Sequence, residues 1–236
     1  MSSLTDRVVA HVRDGIRHQR YVPGEIYSVY QLAEALGVSR SPAREAMMRL
    51  SEAGLVEIAR NRGFRVVLPQ ARDVAEIFAV RLALEPAAAR RCGERRVDLS
   101  GAFATLTAAE HVGDEAAFWE ADQALHDAIL RGAGNARAAA VVASLRATTA
   151  LLGPPTSHAG RSLREIRDEH APIVEALCRH DGEAAEEAMR DHLVRTGRLL
   201  VAQVAASTPD STDPDSTDPE ATDPEALWTE VVGRSL

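Results

Sequence analysis

The sequence predicts a mainly α-helical protein with one short β-hairpin near its N-terminus, and three observations support this fold class. Apolar residues recur at helical spacing, beginning with Leu4, Val8, Val12 and Ile16. Aromatic residues make up only 4% of the chain while alanine is abundant, which favours helices packed through small side chains over a β-sandwich. The alternation typical of strands is confined to residues 55–68.

The N-terminal helices have the pattern of a helix-turn-helix. The first helix ends before residue 21, a second covers 29–36, and a glycine-containing turn at 37–39 leads into a third. Ser41 as the cap and Pro42 in the first turn mark the start of the third helix, because the N–H that proline lacks has no partner there. The apolar stripe of this helix consists of Ala43, Ala46, Met47 and Leu50.

A hairpin extends the helix-turn-helix to a winged helix-turn-helix. Residues 55–60 and 64–68 alternate like two strands, and the turn chemistry of Asn61, Arg62 and Gly63 lies between them. In such a fold the second helix of the pair can enter a DNA major groove, and the wing tip can reach the backbone or the minor groove. We expect Gly63 to supply a backbone conformation that is costly for other residues.

The rest of the chain is predicted to form an antiparallel all-α helical bundle and a tail. From residue 207 onward the sequence is dominated by STDPD, STDPE and ATDPE, and this proline-rich acidic composition predicts disorder. We interpret the apolar residues beyond the repeats, Leu227 and Trp228 among them, as incidental. The predicted domains are therefore 1–68, 69–206 and 207–236. The predicted helices of the bundle are 72–96, 98–112, 114–132, 135–152, 161–180 and 182–206.

The net charge of −8 is distributed unevenly along the chain. Residues 1–68 carry ten arginines and seven acidic residues, whereas residues 206–236 carry one arginine and eight acidic residues. A basic segment on an acidic chain indicates a local site for a polyanion. Two distant cysteines, together with the lack of a signal peptide or of a long apolar run, predict a cytoplasmic protein with no membrane segment.

Exposed arginines and serines of the helix-turn-helix are the candidate DNA-binding residues. Arg40, Arg44 and Arg49 lie off the apolar stripe of the third helix, where they surround a helix N-terminus that itself favours anions. Ser39 and Ser41 can donate to phosphates. Because one such domain covers few base pairs, we expect a homodimer that binds a short inverted repeat in double-stranded operator DNA.

The N-terminal segment contains a dense series of short motifs: Pro23-Gly24, Leu32-Ala33, Leu36-Gly37-Val38-Ser39-Arg40, Arg44-Glu45-Ala46, Gly54-Leu55-Val56 and Gly63-Phe64-Arg65-Val66. In these motifs the segment resembles the DNA-binding domain of GntR-family transcription regulators. The resemblance implies a transcriptional regulator, most simply a repressor. It also implies that Arg40 and Arg44 approach bases or the adjacent backbone, that Arg49 approaches the backbone, and that the turn at Gly63 approaches the minor groove.

The helical remainder contains a second set of characteristic residues: Arg81, Glu85, Asp122-x-x-x-His126, Gly134-Asn135, Glu169-His170 and His192-Leu193. In these residues it resembles the FCD effector domain of the FadR-type subfamily. Its spacing of one acidic residue and three histidines is similar to that of the metal-binding members, which implies a metal centre and a small carboxylate metabolite as effector.

The four candidate metal ligands are also placed favourably by helix geometry. Asp122 and His126 are one turn apart and project from the same face of one helix. His170 and His192 fall at similar depth in two helices that a short turn makes antiparallel. Three neutral imidazoles and a carboxylate suit a divalent transition metal, with zinc first and nickel, iron, cobalt or manganese as alternatives.

Arg81 is the candidate that binds the effector carboxylate through a two-pronged contact, and the alternative is a salt bridge to Glu85 at i+4. Two other functions remain open. One is a metal-dependent hydrolase or lyase at the same histidines, and the other is a DNA-binding regulator whose metal is purely structural. Against the enzyme, no general base is obvious, since we expect Glu169 to point away from the ligand face.

Overall fold

The computed structural model describes residues 3–17, 20–59, 62–152, 161–207 and 223–233. The chain folds into two compact units. The first is formed by Met1–Pro69 with Ala147–Gly153, and the second by Gln70–Arg146 with Pro154–Leu236. The described residues are mostly helical, with three short strands, which confirms the predicted fold class.

The first unit is a winged helix-turn-helix. Its core lies under the helices and the sheet and includes Val8, Val12, Leu50 and Phe64, each of which is fully buried. The strands form one antiparallel sheet in the order β1-β3-β2. The elements are α1 (Leu4–Arg17), β1 (Ile26–Tyr27), α2 (Val29–Ala35), α3 (Arg40–Glu52), β2 (Val56–Ala59) and β3 (Gly63–Val66).

The start of α3 differs from the prediction. The N-cap is Ser39, whose backbone is extended (φ −73°, ψ 167°), and Ser41 is already helical. The Ser39 side chain makes no capping hydrogen bond. Pro42 nevertheless lies in the first turn, where the N–H that it lacks would have no partner within the helix. The prediction of Ser41 as the cap is therefore wrong by two residues.

Strand β1 was not predicted from the sequence. It consists of two residues, Ile26 and Tyr27, which pair with Arg65 and Phe64 of β3. Two residues are too few to show the alternation by which a strand is recognised in a sequence.

The second unit is a bundle of helices in which α4 and α9 are the most extensively packed pair. All six predicted helices are confirmed, with ends that shift by a few residues. None of the described helices combines the length and apolar character that a membrane span requires. The helices are α4 (Ala71–Glu94), α5 (Ser100–Val112), α6 (Glu115–Gly132), α7 (Ala136–Thr149), α8 (Leu163–Cys178) and α9 (Gly182–Ser207), and a 3₁₀ turn (Ala150–Leu152) follows α7.

The C-terminal tail ends in a helix, which corrects the prediction of a disordered segment over 207–236. The acidic repeats at 208–222 lie outside the described residues. Beyond them, α10 (Pro224–Val231) begins after the capping residue Asp223 and packs against α4 and α9. Leu227 and Trp228 are buried, so the interpretation of these apolar residues as incidental is wrong.

Candidate metal centre and nucleic-acid interface

Three buried imidazoles converge in the second unit. His126 projects from α6, His170 from α8 and His192 from α9. One ring nitrogen from each lies within 4.8 Å of the other two. The Nε2 atoms of His126 and His170 are 3.3 Å apart. The structure thus brings together three of the four residues that the sequence predicts as metal ligands.

The other ring nitrogens of His126 and His170 are engaged by acceptors. His126 Nδ1 is 2.5 Å from Oε2 of Glu85, and His170 Nδ1 is 2.8 Å from the carbonyl oxygen of Ile166. A carbonyl only accepts hydrogen bonds, so the proton of neutral His170 resides on Nδ1 and its Nε2 presents a lone pair. The same argument applies to His126 opposite a carboxylate. Two lone pairs 3.3 Å apart cannot bond to each other, and a cation between them would satisfy both.

Burial favours the neutral form of two of these imidazoles, those of His126 and His192. Burial and the positive charge of Arg146 together lower the pKa of His126 to about 4, although the negative charges of Glu85 and Asp122 oppose the shift. Burial also holds the pKa of His192 well below its ordinary value. Neutral imidazoles are the form that binds a metal ion.

Asp122 lies beside the three imidazoles rather than among them. Its Oδ1 is 3.0 Å from His170 Nε2, and its Oδ2 is bonded to Arg146. Burial opposes ionisation, but the positive charge of Arg146 holds the pKa of Asp122 well below its usual value. The sequence analysis missed Arg146, because nothing in the pattern of α7 distinguishes this arginine from others.

Arg81 forms the salt bridge that the sequence analysis gave as an alternative. Its Nε donates to Glu85 Oε1 at 2.6 Å, and both side chains are buried. The guanidinium carbon lies 4.6 Å from the centre of the Phe78 ring. Glu85 therefore bridges Arg81 and His126, and these two partners lower its pKa although burial opposes the shift. The link from Glu85 to His126 was not predicted, because the two residues lie on different helices.

Glu169 does not point away from the site, which corrects that expectation. Its carboxylate is nearly buried, accepts from Arg161 Nη1 at 2.7 and 2.8 Å, and lies 3.5 Å from His192 Nδ1. Between α8 and α9 a cavity of about 660 Å³ is lined in part by Arg161, Glu169, His192 and Arg195. The outer ring nitrogens of all three histidines thus face an acceptor oxygen within the second unit.

The donor set fits a divalent transition metal. Three neutral nitrogen donors and a nearby carboxylate are the ligands that zinc and its neighbours prefer over calcium or magnesium. The imidazoles of His126 and His170 are oriented from behind by a carboxylate and a carbonyl, as is usual for histidines that bind metals. The buried cluster of His126, His170 and His192 can bind a metal ion.

In the first unit, the predicted DNA-binding residues lie on the exposed side of α3. Ser39, Arg40, Ser41 and Arg44 are exposed. The Arg40 guanidinium lies 4.7 Å from the centre of the Tyr30 ring. The Arg44 side chain makes no ion pair or hydrogen bond with any residue that the structure describes. These groups keep their charge and their hydrogen-bond donors available to a partner.

Arg49 and the wing differ from these four residues. Arg49 is paired with Asp6 of α1 at 3.1 Å and with Glu45 at 2.6 Å. Arg62 is exposed at the wing tip, next to Gly63. Gly63 has φ +131°, and a Cβ there would lie 1.9 Å from the Tyr27 carbonyl oxygen, so both conformation and space require glycine.

Comparison with known proteins identifies both units. The family model for bacterial regulatory proteins of the gntR family matches residues 4–66, and the FCD domain model matches residues 76–195. The chain belongs to the GntR family. GntR proteins that carry an FCD domain are transcriptional regulators, so this chain is a DNA-binding regulator and the enzyme alternative is excluded. GntR regulators bind operator DNA and typically act as dimers.

The similar GntR relatives include named repressors. A probable D-xylose utilization operon transcriptional repressor of Paenarthrobacter nicotinovorans is 30% identical over 201 residues, which cover 81% of this chain and 84% of that protein. The galactonate operon transcriptional repressor of Escherichia coli is 28% identical, with 83% and 96% coverage. Among solved structures, a putative GntR transcriptional regulator from Rhodococcus sp. RHA1 has a TM-score of 0.70 and 27% identity, covering 85% of this chain and 99% of that one.

Proposed function

We propose that this GntR regulator is a cytoplasmic, metal-containing repressor whose operator affinity responds to a small carboxylate. The observation that carries the proposal is the convergence of three buried imidazoles, two of which, those of His126 and His170, have their outer nitrogens against acceptor oxygens. His126, His170 and His192 would hold the ion, with Asp122 as a fourth ligand once its Oδ1 turns from His170. The ion would act as a Lewis acid that attracts an anionic ligand.

Charge supports an anionic effector. Without a metal the buried charges of Arg81 and Arg146 are offset by those of Glu85 and Asp122. A divalent ion adds two positive charges to this buried site, and a carboxylate would neutralise part of them. The effector class therefore follows from the metal rather than from an unpaired arginine.

We infer that Arg81 remains available to the effector in spite of its salt bridge. A guanidinium has five N–H donors, and within the described part of the chain only Nε of Arg81 donates a hydrogen bond. Its two Nη groups can bind a carboxylate while Glu85 holds the Nε. One relative is named for a galactonate operon, and galactonate is a sugar acid, so sugar acids are the first carboxylates to test.

DNA binding is proposed to occur through the exposed face of α3 and the wing. Arg40 and Arg44 would contact bases or the adjacent backbone, while Ser39, Ser41 and Arg49 would contact the backbone. Arg62 and Gly63 would approach the minor groove. A homodimer would present two such surfaces to an inverted repeat.

The experiment is elemental analysis of the purified protein, followed by operator binding with and without metal. An operator is first selected from random double-stranded DNA. Its binding is then measured by fluorescence anisotropy, both with metal-loaded protein and with protein whose metal a chelator has removed. Each titration is repeated in the presence of sugar acids. We expect about one transition-metal ion per chain and an effect of the sugar acid only on metal-loaded protein. Loss of folding after chelation would instead favour a purely structural metal.

Reciprocity gives a second measurement. If a sugar acid weakens operator binding by some factor, the operator must weaken sugar-acid binding by the same factor. Calorimetric titration of the acid into free and operator-bound protein measures both affinities. Equal affinities would contradict effector-controlled DNA binding.

A further inference from the structure

An unbroken series of contacts runs from the C-terminal helix to the histidine cluster. The Trp228 ring of α10 packs on Phe78, with ring centres 6.2 Å apart. Phe78 supports the Arg81 guanidinium at 4.6 Å, and Arg81 Nε is 2.6 Å from Glu85. Glu85 in turn is 2.5 Å from His126 Nδ1. A change at Trp228 thus reaches a candidate metal ligand through three intermediate side chains.

The position of Trp228 depends on a notch in α9. A Cβ added to Gly197 would lie 2.3 Å from the Trp228 ring and 2.8 Å from the Phe78 ring. Glycine inside a helix is unfavourable by about 1 kcal/mol relative to alanine. At position 197 this cost is offset by the close packing of the Trp228 and Phe78 rings against α9. The missing side chain makes the room in which the tryptophan docks.

The docked state of α10 depends on packing. The helix has eight residues, fewer than an isolated helix needs to be stable in water. Its buried contacts come from Leu227, Trp228 and the following Val232. The ion pairs at its surface, Arg72 with Glu230 and Arg198 with Glu225, join half-exposed side chains and contribute little. Docking is therefore an equilibrium that a second binding event can shift.

We propose that Trp228 is a positioning residue for Arg81 and His126. We call α10 a latch, because its docking holds these side chains in place. When Trp228 occupies the notch, it fixes Phe78 and thereby the Arg81–Glu85–His126 series. This inference rests on the proposed metal centre. Docking of α10 and binding of the metal ion then favour each other, by the same factor in both directions.

The test compares Co²⁺ affinity among full-length variants, measured by titration of the visible absorption of the bound ion. Trp228→Ala is expected to weaken Co²⁺ binding about tenfold, within the usual range of coupling. Gly197→Ala should weaken it similarly although alanine favours the α9 helix, so loss of helix stability cannot explain the result. Trp228→Phe keeps an aromatic ring, and its Co²⁺ affinity should fall by less than about threefold.

A matched control separates positioning from general destabilisation. Leu106→Ala truncates a fully buried side chain of α5, a helix that carries none of the candidate ligands, and should leave Co²⁺ affinity within about twofold. In a Trp119→Phe background, where Trp228 is the only tryptophan, saturating Zn²⁺ should reduce acrylamide quenching of its fluorescence. This readout measures docking itself.

The outcomes distinguish the latch from the metal centre. Wild-type protein that takes up no Co²⁺ would overturn the proposed centre and the coupling with it. Equal Co²⁺ affinities for wild type and for folded Trp228→Ala and Gly197→Ala would overturn the latch alone. Quenching of Trp228 that is unchanged by Zn²⁺ in protein shown to bind the ion would also overturn it.

Discussion

The DNA-binding surface of α3 and the histidine cluster differ in whether their charged side chains are paired. On α3 the guanidinium of Arg44 is exposed and makes no hydrogen bond or ion pair with another described residue. Beside the histidine cluster, Arg81 is buried and Arg146 is largely buried, and each is paired with a carboxylate. An exposed charge costs little to leave unpaired, because water solvates it, whereas a buried charge without a partner is strongly destabilising.

This difference explains why the two sites use different strategies. The DNA-binding surface keeps free donors whose interaction energy is released only when a polyanion arrives. The histidine cluster is oriented in advance by groups that face the outer ring nitrogens, so an ion would find its ligands already in place. Substitutions should therefore affect binding alone in the first region and both binding and stability in the second.

The largest expected effect is the loss of metal from His170→Ala. Removing one of three converging imidazoles leaves too few donors to hold an ion in a buried site. Metal content of the purified variant should fall from about one ion per chain to below about a tenth of that, by elemental analysis. His111→Ala, at an exposed position in the last turn of α5, is the control and should keep its metal. Undiminished stoichiometry in His170→Ala would contradict the assignment.

The next largest effect is expected for Glu85→Gln, which tests whether binding and stability are joined in the buried region. The wild-type carboxylate faces His126 Nδ1 and neutralises the charge of Arg81, and the change removes it. Metal affinity should fall about 10- to 100-fold. The free energy of unfolding should fall by about 3–5 kcal/mol, because a buried charge is left without its partner. Co²⁺ titration measures the metal affinity and urea unfolding measures the stability. A change in only one of them would contradict the idea that binding and stability are joined in this region.

On the exposed side, Arg44→Ala should affect DNA binding alone. Loss of a contact to a base or phosphate should weaken operator binding by about 1–3 kcal/mol, or roughly ten- to hundredfold. The melting temperature should stay nearly unchanged. Arg49→Ala is the matched comparison: this arginine is held by Asp6 and Glu45, so its loss should cost less operator affinity. A large fall in melting temperature for Arg44→Ala would mean that the residue is structural.

How far the sequence predicts these regions depends on how local the signal is. The helices of the bundle were predicted because their apolar spacing and turn residues are local. His126, His170 and His192 were predicted to converge because the chain resembles metal-binding FCD domains and because His170 and His192 lie at similar depth in two antiparallel helices. The partner of Asp122 was missed, since Arg146 lies on another helix and no spacing rule connects the two.

The misses share the same cause. Glu169 is next to a candidate ligand in sequence, so its direction was argued from helix geometry alone, and the attraction of Arg161 was left out. Trp228 follows acidic repeats whose composition predicts disorder. Its burial depends on a notch that only the packing of α4 against α9 creates. Contacts between distant segments are what the sequence pattern does not contain.

The pH dependence of stability should also distinguish the buried region. The pKa of His126 is about 4 in the folded chain and about 6.5 when unfolded. The unfolded state therefore binds more protons between these values. The contribution of neutral His126 to the free energy of unfolding is fully present above a pH of about 6.5. It is lost as the pH falls toward about 4, by about 1.4 kcal/mol per pH unit for one proton.

Urea unfolding of metal-free protein at several pH values measures this slope. Both tryptophans, Trp119 and Trp228, lie in the second unit, so their fluorescence reports the unfolding of that unit. His126→Gln should reduce the slope between pH 6.5 and 4, because Gln does not titrate. An unchanged slope in this variant would show that other groups cause the acid sensitivity.

The smallest expected effect belongs to Glu94→Gln, the exposed twin of Glu85→Gln. Arg90 and Glu94 form the same i, i+4 pair on the same helix as Arg81 and Glu85, but their side chains are 45% and 55% exposed instead of 4% and 1%. Water replaces the lost carboxylate, and Arg90 keeps Glu183 and Glu186 nearby. The free energy of unfolding should change by less than about 0.5 kcal/mol. The two pairs share chemistry and spacing but differ in burial and in their other partners, since Glu85 also faces His126 and Arg90 also has Glu183 and Glu186. Equal urea-unfolding effects for the two substitutions would contradict the division between the two regions.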